Sequence, residues 1–356
     1  MSRPARVIVD TAAVRANLEV VRSCAPRSRI MAIVKADAYG HGIARIAAAL
    51  AGKADAFGVA SIEEAGRVRD AGVEEPVVLL EGPFTADEIP EISARGLETV
   101  VHTHEQVEWL DDGSSEIPVW IKIDTGMHRL GFDPAEVPHV RERLQRSGRT
   151  LRYMTHLASA HRNDDPSVDE QMQVFERVGH DWSGDRSIAN SGAVLSRPRC
   201  HADWVRPGLM LYGVSPFQGR RGSDHGLVPA MTVVSSLISV REVSAGGTVG
   251  YGRGFVCPER MPVGVVAFGY GDGYPRHAST GTPIMVNGIR TQVIGEASMD
   301  MLTVDLRPIA QASVADPVVL WGPALAVEEV ADSAGTIPYE LLCRVRMRAR
   351  YIEAPE

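Results

Sequence analysis

Lysine is scarce in this sequence. Lys35, Lys53 and Lys122 are the three in 356 residues, and arginine carries the rest of the basic charge. Any chemistry that needs a covalent amine therefore has three candidates. Cysteine is scarce as well: Cys24, Cys200, Cys257 and Cys343 are too few and too scattered for a disulfide framework or a zinc site. No run approaches the ~18 apolar residues of a membrane span. The opening MSRPARVIVDTAAVRANLEVV lacks the apolar core of a secretory signal, which predicts a cytoplasmic protein. Basic charge does not dominate either. With 37 Lys+Arg against 45 Asp+Glu the net charge is −8, which argues against a broad nucleic-acid or anionic-membrane surface. What remains is an ordinary globular composition, 44% hydrophobic and 23% charged, on a chain long enough for two domains.

The first 215 residues alternate short apolar runs with amphipathic stretches. Strands are expected at 30–34, 56–61, 76–82, 97–103, 118–124, 152–158, 186–191 and 204–213. Most are continuous β-branched or apolar runs, the pattern of strands buried on both faces. Helical patterns lie between them at 43–52, 61–72, 85–96, 133–148 and 168–182. Ser61 and Asp133 are expected as N-caps, and Gly52, Gly72, Gly96 and Gly148 as helix stops. Eight strands with intervening helices predict a (β/α)8 TIM-type barrel. A doubly wound sheet would want a Gly-rich phosphate turn after the first strand, and here that strand runs into Lys-Ala-Asp-Ala-Tyr-Gly-His-Gly. Beyond a polar, Gly-rich stretch at 216–230, expected to be a linker, the character changes. Strand-like runs at 231–243, 262–270, 282–295, 301–306 and 316–322, an Asn287-Gly288 hairpin turn and one helix at 325–336 predict a mostly β domain. The expected division is a barrel over 1–225 and a C-terminal β domain over 226–356.

Lys35 follows the first strand directly, so in a barrel it stands at the C-terminal face, where barrel active sites lie. Emerging from the apolar run IMAIV, it would be partly desolvated, which favours the neutral amine that forms imines. Taken alone, it is also a strand-end lysine reaching for solvent. The Gly40-His41-Gly42 turn that follows lets backbone approach a ligand closely, or is an ordinary strand-to-helix loop.

The segment VKADAYGHG (34–42) resembles the cofactor-lysine motif of the alanine racemases. IKIDTGMHRLGF (121–132), MTHLA (154–158), ANS (189–191), VRPGLMLYG (205–213), VGYGRGF (249–255), GYGDGYPR (269–276) and GEASMDM (295–301) are similar to that family's further motifs, in its order and at about its spacing. The resemblance spans nearly the whole chain.

It implies a pyridoxal 5′-phosphate enzyme that interconverts L- and D-alanine by two-base proton transfer at Cα, supplying D-alanine for peptidoglycan. It also implies a homodimer with shared active sites. A racemase of broader range, acting on serine as well, is the alternative within the family. Lys35 would hold the cofactor through its amine and act as one base. Tyr251 would be the other, reaching the partner subunit's site from the β domain. Tyr39, Ser191, Gly208 and Leu209 would cradle the phosphate, His156 would pack on the pyridine face, and Arg206 would face the ring nitrogen. Arginine stays protonated, so a ring beside it is a weaker electron sink than one paired with aspartate. Arg129 would contact the cofactor's phenolic oxygen and the substrate carboxylate. The backbone N–H of Met299, with Asp300 beside it, would bind that carboxylate from the partner chain. Lys122 matches a position that is carbamylated in some members. Tyr270, Asp272 and Tyr274 resemble residues lining the substrate entrance.

Two positions depart from the pattern. Ser187 stands where the family often has a histidine supporting the arginine, and Met347 where several members place a phosphate-binding tyrosine. The residues admit two other readings. His102-Thr-His104 with Lys122 offers the parts of a barrel metallohydrolase, although in that fold the pair normally follows the first strand and here it follows the fourth. A non-catalytic cofactor carrier would share the lysine-bearing barrel but lack Tyr251 and the 230–356 segment.

Overall fold

The computed structural model describes residues 3–111, 117–162, 164–345 and 348–354. Its first strand, β1 (Arg6–Val9), lies outside the barrel. Among the described residues, eight parallel strands then close into one. They are β2 (Arg29–Ile33), β3 (Ala56–Val59), β4 (Val77–Leu79), β5 (Glu98–Val101), β6 (Val119–Lys122), β7 (Leu151–Met154), β8 (Arg186–Asn190) and β9 (Trp204–Arg206). Closure comes from Arg29 and Ile30 pairing with Trp204 and Val205. Alternate residues of β2 face opposite ways, as a pleated strand requires. Met31 and Ile33 pack with Val78, Val100, Trp120, Met154 and Trp204 in one cluster, whereas Ile30 and Ala32 join the cluster formed with the helices. The expected TIM-type barrel is present, with every expected strand in place.

Several expected local features hold. Ser61 caps the helix Ile62–Asp70 by accepting from the Glu64 amide, and Gly52, Gly72, Gly96 and Gly148 all follow helices at positive φ. Asp133 does not cap a helix. The next helix, Val137–Arg146, starts four residues later with Pro138 in its first turn, and Asp133 closes the preceding turn by accepting from Ala135. The helix Thr11–Cys24 was not anticipated. Asp10 caps it, and Val14, Leu18 and Val21 form its buried stripe.

The second unit contains β10 (Met231–Val243), β11 (Thr248–Val249), β12 (Phe255–Val256), β13 (Met261–Val266), β14 (Pro283–Val286), β15 (Ile289–Gln292), β16 (Leu302–Asp305), β17 (Pro317–Trp321) and β18 (Arg350–Glu353). The main sheet runs β15-β14-β17-β10-β1-β18, with β13 and β16 continuing from β10. Asn287 and Gly288 turn the β14–β15 hairpin with φ of 51° and 75°, the left-handed pair that a two-residue hairpin loop demands. The N-terminal strand β1 thus sits inside the sheet of the C-terminal unit, antiparallel to β10 and parallel to β18. The 216–230 stretch is packed rather than loose. Buried Glu328 accepts from the amides of Ser215 and Gly222, and Asn17 bonds Leu211 and both backbone groups of Val228.

Candidate active site

At the C-terminal mouth of the barrel a cavity of about 510 Å³ collects the side chains singled out above. Lys35, Tyr39, Arg129, His156, Ser191, Arg206, Gly208 and Leu209 all line it, and so does Lys122. They come from the ends of β2, β6, β7, β8 and β9, so closing the barrel brings them together from positions up to 174 residues apart in sequence (209 − 35).

Lys35 is followed by an unusual backbone. Ala36, Asp37, Ala38 and Tyr39 have φ of 52°, 54°, 54° and 53°, a turn of left-handed helix built from non-glycine residues. Such a conformation costs about 1–2 kcal/mol per residue, so the surroundings must hold it. Glu64 accepts from the amides of Asp37 and Ala60, the Asp37 carboxylate caps Ile43 and pairs with Arg67, and Gly40 bonds back to Ala36. The turn aims the Tyr39 ring at the cavity, stacked on Tyr212 at 4.8 Å between centroids. His41 stacks on the same tyrosine at 4.5 Å.

At the end of the cavity where β8 and β9 stop, Ser191 Oγ accepts from the amides of Gly208 (2.9 Å) and Met210 (3.3 Å). A Cβ placed on Gly208 would lie 2.5 Å from the Tyr39 hydroxyl, so only glycine leaves that space open. A small hollow walled by a serine, a tyrosine hydroxyl and bare backbone fits a phosphate group. Tyr339, from the start of the helix Pro338–Arg344, lines the same cavity with its ring 5.9 Å from that of Tyr39, and burial pushes its phenol up to about 12. Tyr339 is not among the residues expected from the sequence; Met347, where the family's tyrosine is expected, lies outside the described residues. The signal was available in IPYELLC, where proline followed by an aromatic opens a helix.

The opposite wall is cationic. Burial brings the Arg206 guanidinium down to about 10, which still leaves it charged at neutral pH. It donates to Ser187 Oγ (2.6 Å) and to the Thr155 carbonyl (2.6 Å), and lies 3.4 Å from His156 Nδ1. Ser187 therefore supports the arginine directly, by accepting from it while its own hydroxyl donates to Trp204. Burial, then the charge of Arg206, holds His156 well below its usual range, so its ring is neutral. Burial and the nearby Arg206 and Arg129 lower the Lys122 amine to about 8. One carboxylate, Glu81, lines the cavity among the described residues, and it sits 3.2 Å from Lys35 Nζ. No motif in the sequence marks it.

The remaining expected residues lie elsewhere. Tyr251 is 72% exposed in a separate hollow with Gly250, Glu296, Ser298 and Thr303. Met299 is 53% exposed, and Asp300 pairs with Arg348. Tyr274 is buried edge-on to Phe268 rather than lining the Lys35 cavity. His102 and His104 do not converge on a metal. His102 Nε2 meets the Glu81 carbonyl and His104 meets Glu136, and among the described residues no group of three or more such side chains could hold an ion. Among the described residues no helix is long and apolar enough to cross a membrane.

Comparison with known proteins gives the family and the fold. The family model for the alanine racemase N-terminal domain matches residues 9–216, and that for the C-terminal domain matches 230–352. An alanine racemase of Halorhodospira halophila is 49% identical over 355 residues, covering 98% of each chain. One of Nitrosococcus oceani is 50% identical over 348 residues, covering 96% of this chain and 97% of the relative. Among solved structures, the biosynthetic alanine racemase of Pseudomonas aeruginosa superposes with a TM-score of 0.96 at 42% identity, over 99% of this chain and 100% of that one. That of Bartonella henselae, with covalently bound pyridoxal phosphate, superposes at 0.91 with 29% identity over 99% of both. With both halves matched in order and relatives aligned end to end, the chain belongs to the alanine racemase family of isomerases.

Proposed function

We propose that the chain interconverts L- and D-alanine in the cytoplasm, supplying D-alanine for peptidoglycan, with pyridoxal 5′-phosphate as cofactor and Lys35 and Tyr251 as its two bases. The observation that carries this reading is the meeting of Lys35, the Ser191–Gly208–Tyr39 hollow and the buried Arg206 in one cavity. Bound there, pyridoxal phosphate would supply an electron sink for the Cα–H bond. Lys35 would hold it through its amine. Tyr39, Ser191, Tyr339 and the backbone of Gly208 and Leu209 would hold its phosphate, and neutral His156 would pack on its ring.

Arg206 cannot accept a proton, so a pyridine nitrogen held against it would stay unprotonated and the sink moderate. A moderate sink suits removal and return of a proton at one carbon. Arg129, which lines the same cavity, would receive the substrate carboxylate. Racemisation needs a base on each face of Cα, and within one chain Tyr251 does not line the cavity. It would reach the site of a second subunit, together with Met299 and Asp300, in a homodimer.

The test is incubation of the purified protein with L-alanine in heavy water. Deuterium at Cα and loss of optical rotation are expected, and Lys35→Ala should lose both activity and the visible absorption of the cofactor-loaded protein. A yellow, cofactor-bound wild type that exchanges no Cα proton would refute the assignment.

A further inference from the structure

Glu81 is the one carboxylate among the described side chains lining a cavity that also holds Lys35, Lys122, Arg129 and Arg206. Its Oε1 lies 3.2 Å from Lys35 Nζ, and its Oε2 is buried with no hydrogen-bond partner among the described residues. The backbone is fixed around it. The Glu81 carbonyl meets His102 Nε2 at 2.9 Å and accepts from Gln106 Nε2 at 3.1 Å; the same amide group donates to Pro83. The next residue, Gly82, has φ of 73°, and a Cβ there would strike the Val100 carbonyl at 2.4 Å. The strand end is thus clamped so that residue 81 faces the amine. A carboxylate oxygen shut off from water is costly to leave unpaired, so a cationic partner stabilises this side chain.

We propose that Glu81 is the positioning carboxylate of Lys35: through the 3.2 Å ion pair it holds the free amine at the cavity and withholds its reactivity until the pair is broken. This rests on the proposed role of Lys35 and deepens it. Among the described residues, the other charged side chains lining the cavity with Lys35 are cations and act in the opposite sense. Lys122 from β6, Arg129 from the loop after it and Arg206 from β9 all disfavour a further cation, as the charge felt by His156 reflects. His156 is uncharged, and the Cys343 thiol, on the helix Pro338–Arg344, is raised by burial and stays protonated. Glu81 alone among them can offset that repulsion. Its bare Oε2 offers the amine a second acceptor on the same carboxylate when Lys35 moves.

The experiment uses the full chain stripped of cofactor. Trace acetylation with acetic anhydride at one fixed pH, read by mass spectrometry, gives the labelling of the Lys35 peptide relative to that of the Lys53 peptide. Glu81→Gln is expected to raise that ratio several-fold, because no carboxylate then holds the amine. Glu81→Asp, which keeps the charge, is expected to restore most of the wild-type ratio. Circular dichroism reports folding independently of the site. An unchanged ratio in folded Glu81→Gln would overturn the proposal. That outcome is separate from failure of the racemase reading, which would show as wild-type protein that takes up pyridoxal phosphate without exchanging the Cα proton.

Discussion

At the scale of single residues, the pH behaviour of the site follows from how its groups are buried. His41 is fully buried on Tyr212, and desolvation lowers its imidazole to about 4. Its Nδ1 meets the carbonyls of Ala38 and Tyr39 at 3.0 Å each, so that nitrogen carries the hydrogen; Nε2 is buried with no partner among the described residues. A proton added at Nε2 would be a buried charge with no acceptor. The folded state therefore refuses a proton that the unfolded chain takes up near pH 6.5. The stabilisation is fully present above that pH and is lost as pH falls towards about 4, by about 1.4 kcal/mol per pH unit from this group. We expect His41→Asn, which keeps a donor for the carbonyls and does not titrate, to be less stable at pH 7.5 but to have a flatter acid limb. Urea unfolding midpoints at pH 7.5, 6 and 5 measure this, and parallel slopes in both proteins would contradict it. These same residues show what was legible in sequence. Lys35, Arg206 and Ser191 sit in motifs whose spacing carries a resemblance. Glu81 acts through placement alone, and a glutamate after an apolar run reads the same whether it faces solvent or a catalytic amine.

At the scale of elements, the barrel was legible because its strands are continuous apolar runs punctuated by capped helices. The role of β1 was not. RVIV is four residues long and its partners, Met231–Val234 and Arg350–Glu353, lie more than 220 and 340 residues away, beyond any local pattern. Val7 and Val9 are buried there. Strand β18 is joined to the main sheet through β1, and β10 would lose a paired edge without it. Residues 226–356 expressed alone should therefore lack a native sheet: the pairing partner of β18 is missing and the β10 backbone is open along Met231–Val234. Amide hydrogen exchange on that fragment is expected to show little protection in β10 and β18, with protection returning when residues 3–9 are fused to it. A fragment with native-like protection in both strands would show that β1 is dispensable. In the whole chain, Val7→Ala removes two buried methyl groups at the same junction and should lower stability by on the order of 2 kcal/mol in a denaturant titration.

At the scale of the whole molecule, charge and exposure point the same way. A chain of net charge −8 carries a cavity lined by Lys35, Lys122, Arg129 and Arg206 against one carboxylate, a local field that draws in anions such as a phosphate or an amino-acid carboxylate. The residues expected on the far side of the substrate are instead on the outside. Tyr251, Met299 and Met301 are exposed on the β unit, an arrangement wasteful in a monomer and natural at a two-fold interface where each copy completes the other's site. Sequence could name Tyr251 through its motif but could not show that one chain keeps it away from Lys35. The distinction is testable by complementation. Lys35→Ala and Tyr251→Phe should each be inactive alone. In a hybrid dimer, one site pairs the intact Lys35 of one copy with the intact Tyr251 of the other, and the second site lacks both. Random mixing makes half the dimers hybrid with one working site each, so about a quarter of wild-type activity per chain should return after co-refolding or subunit exchange. If both groups served the site of their own chain, every site would lack one of them and mixing would restore nothing.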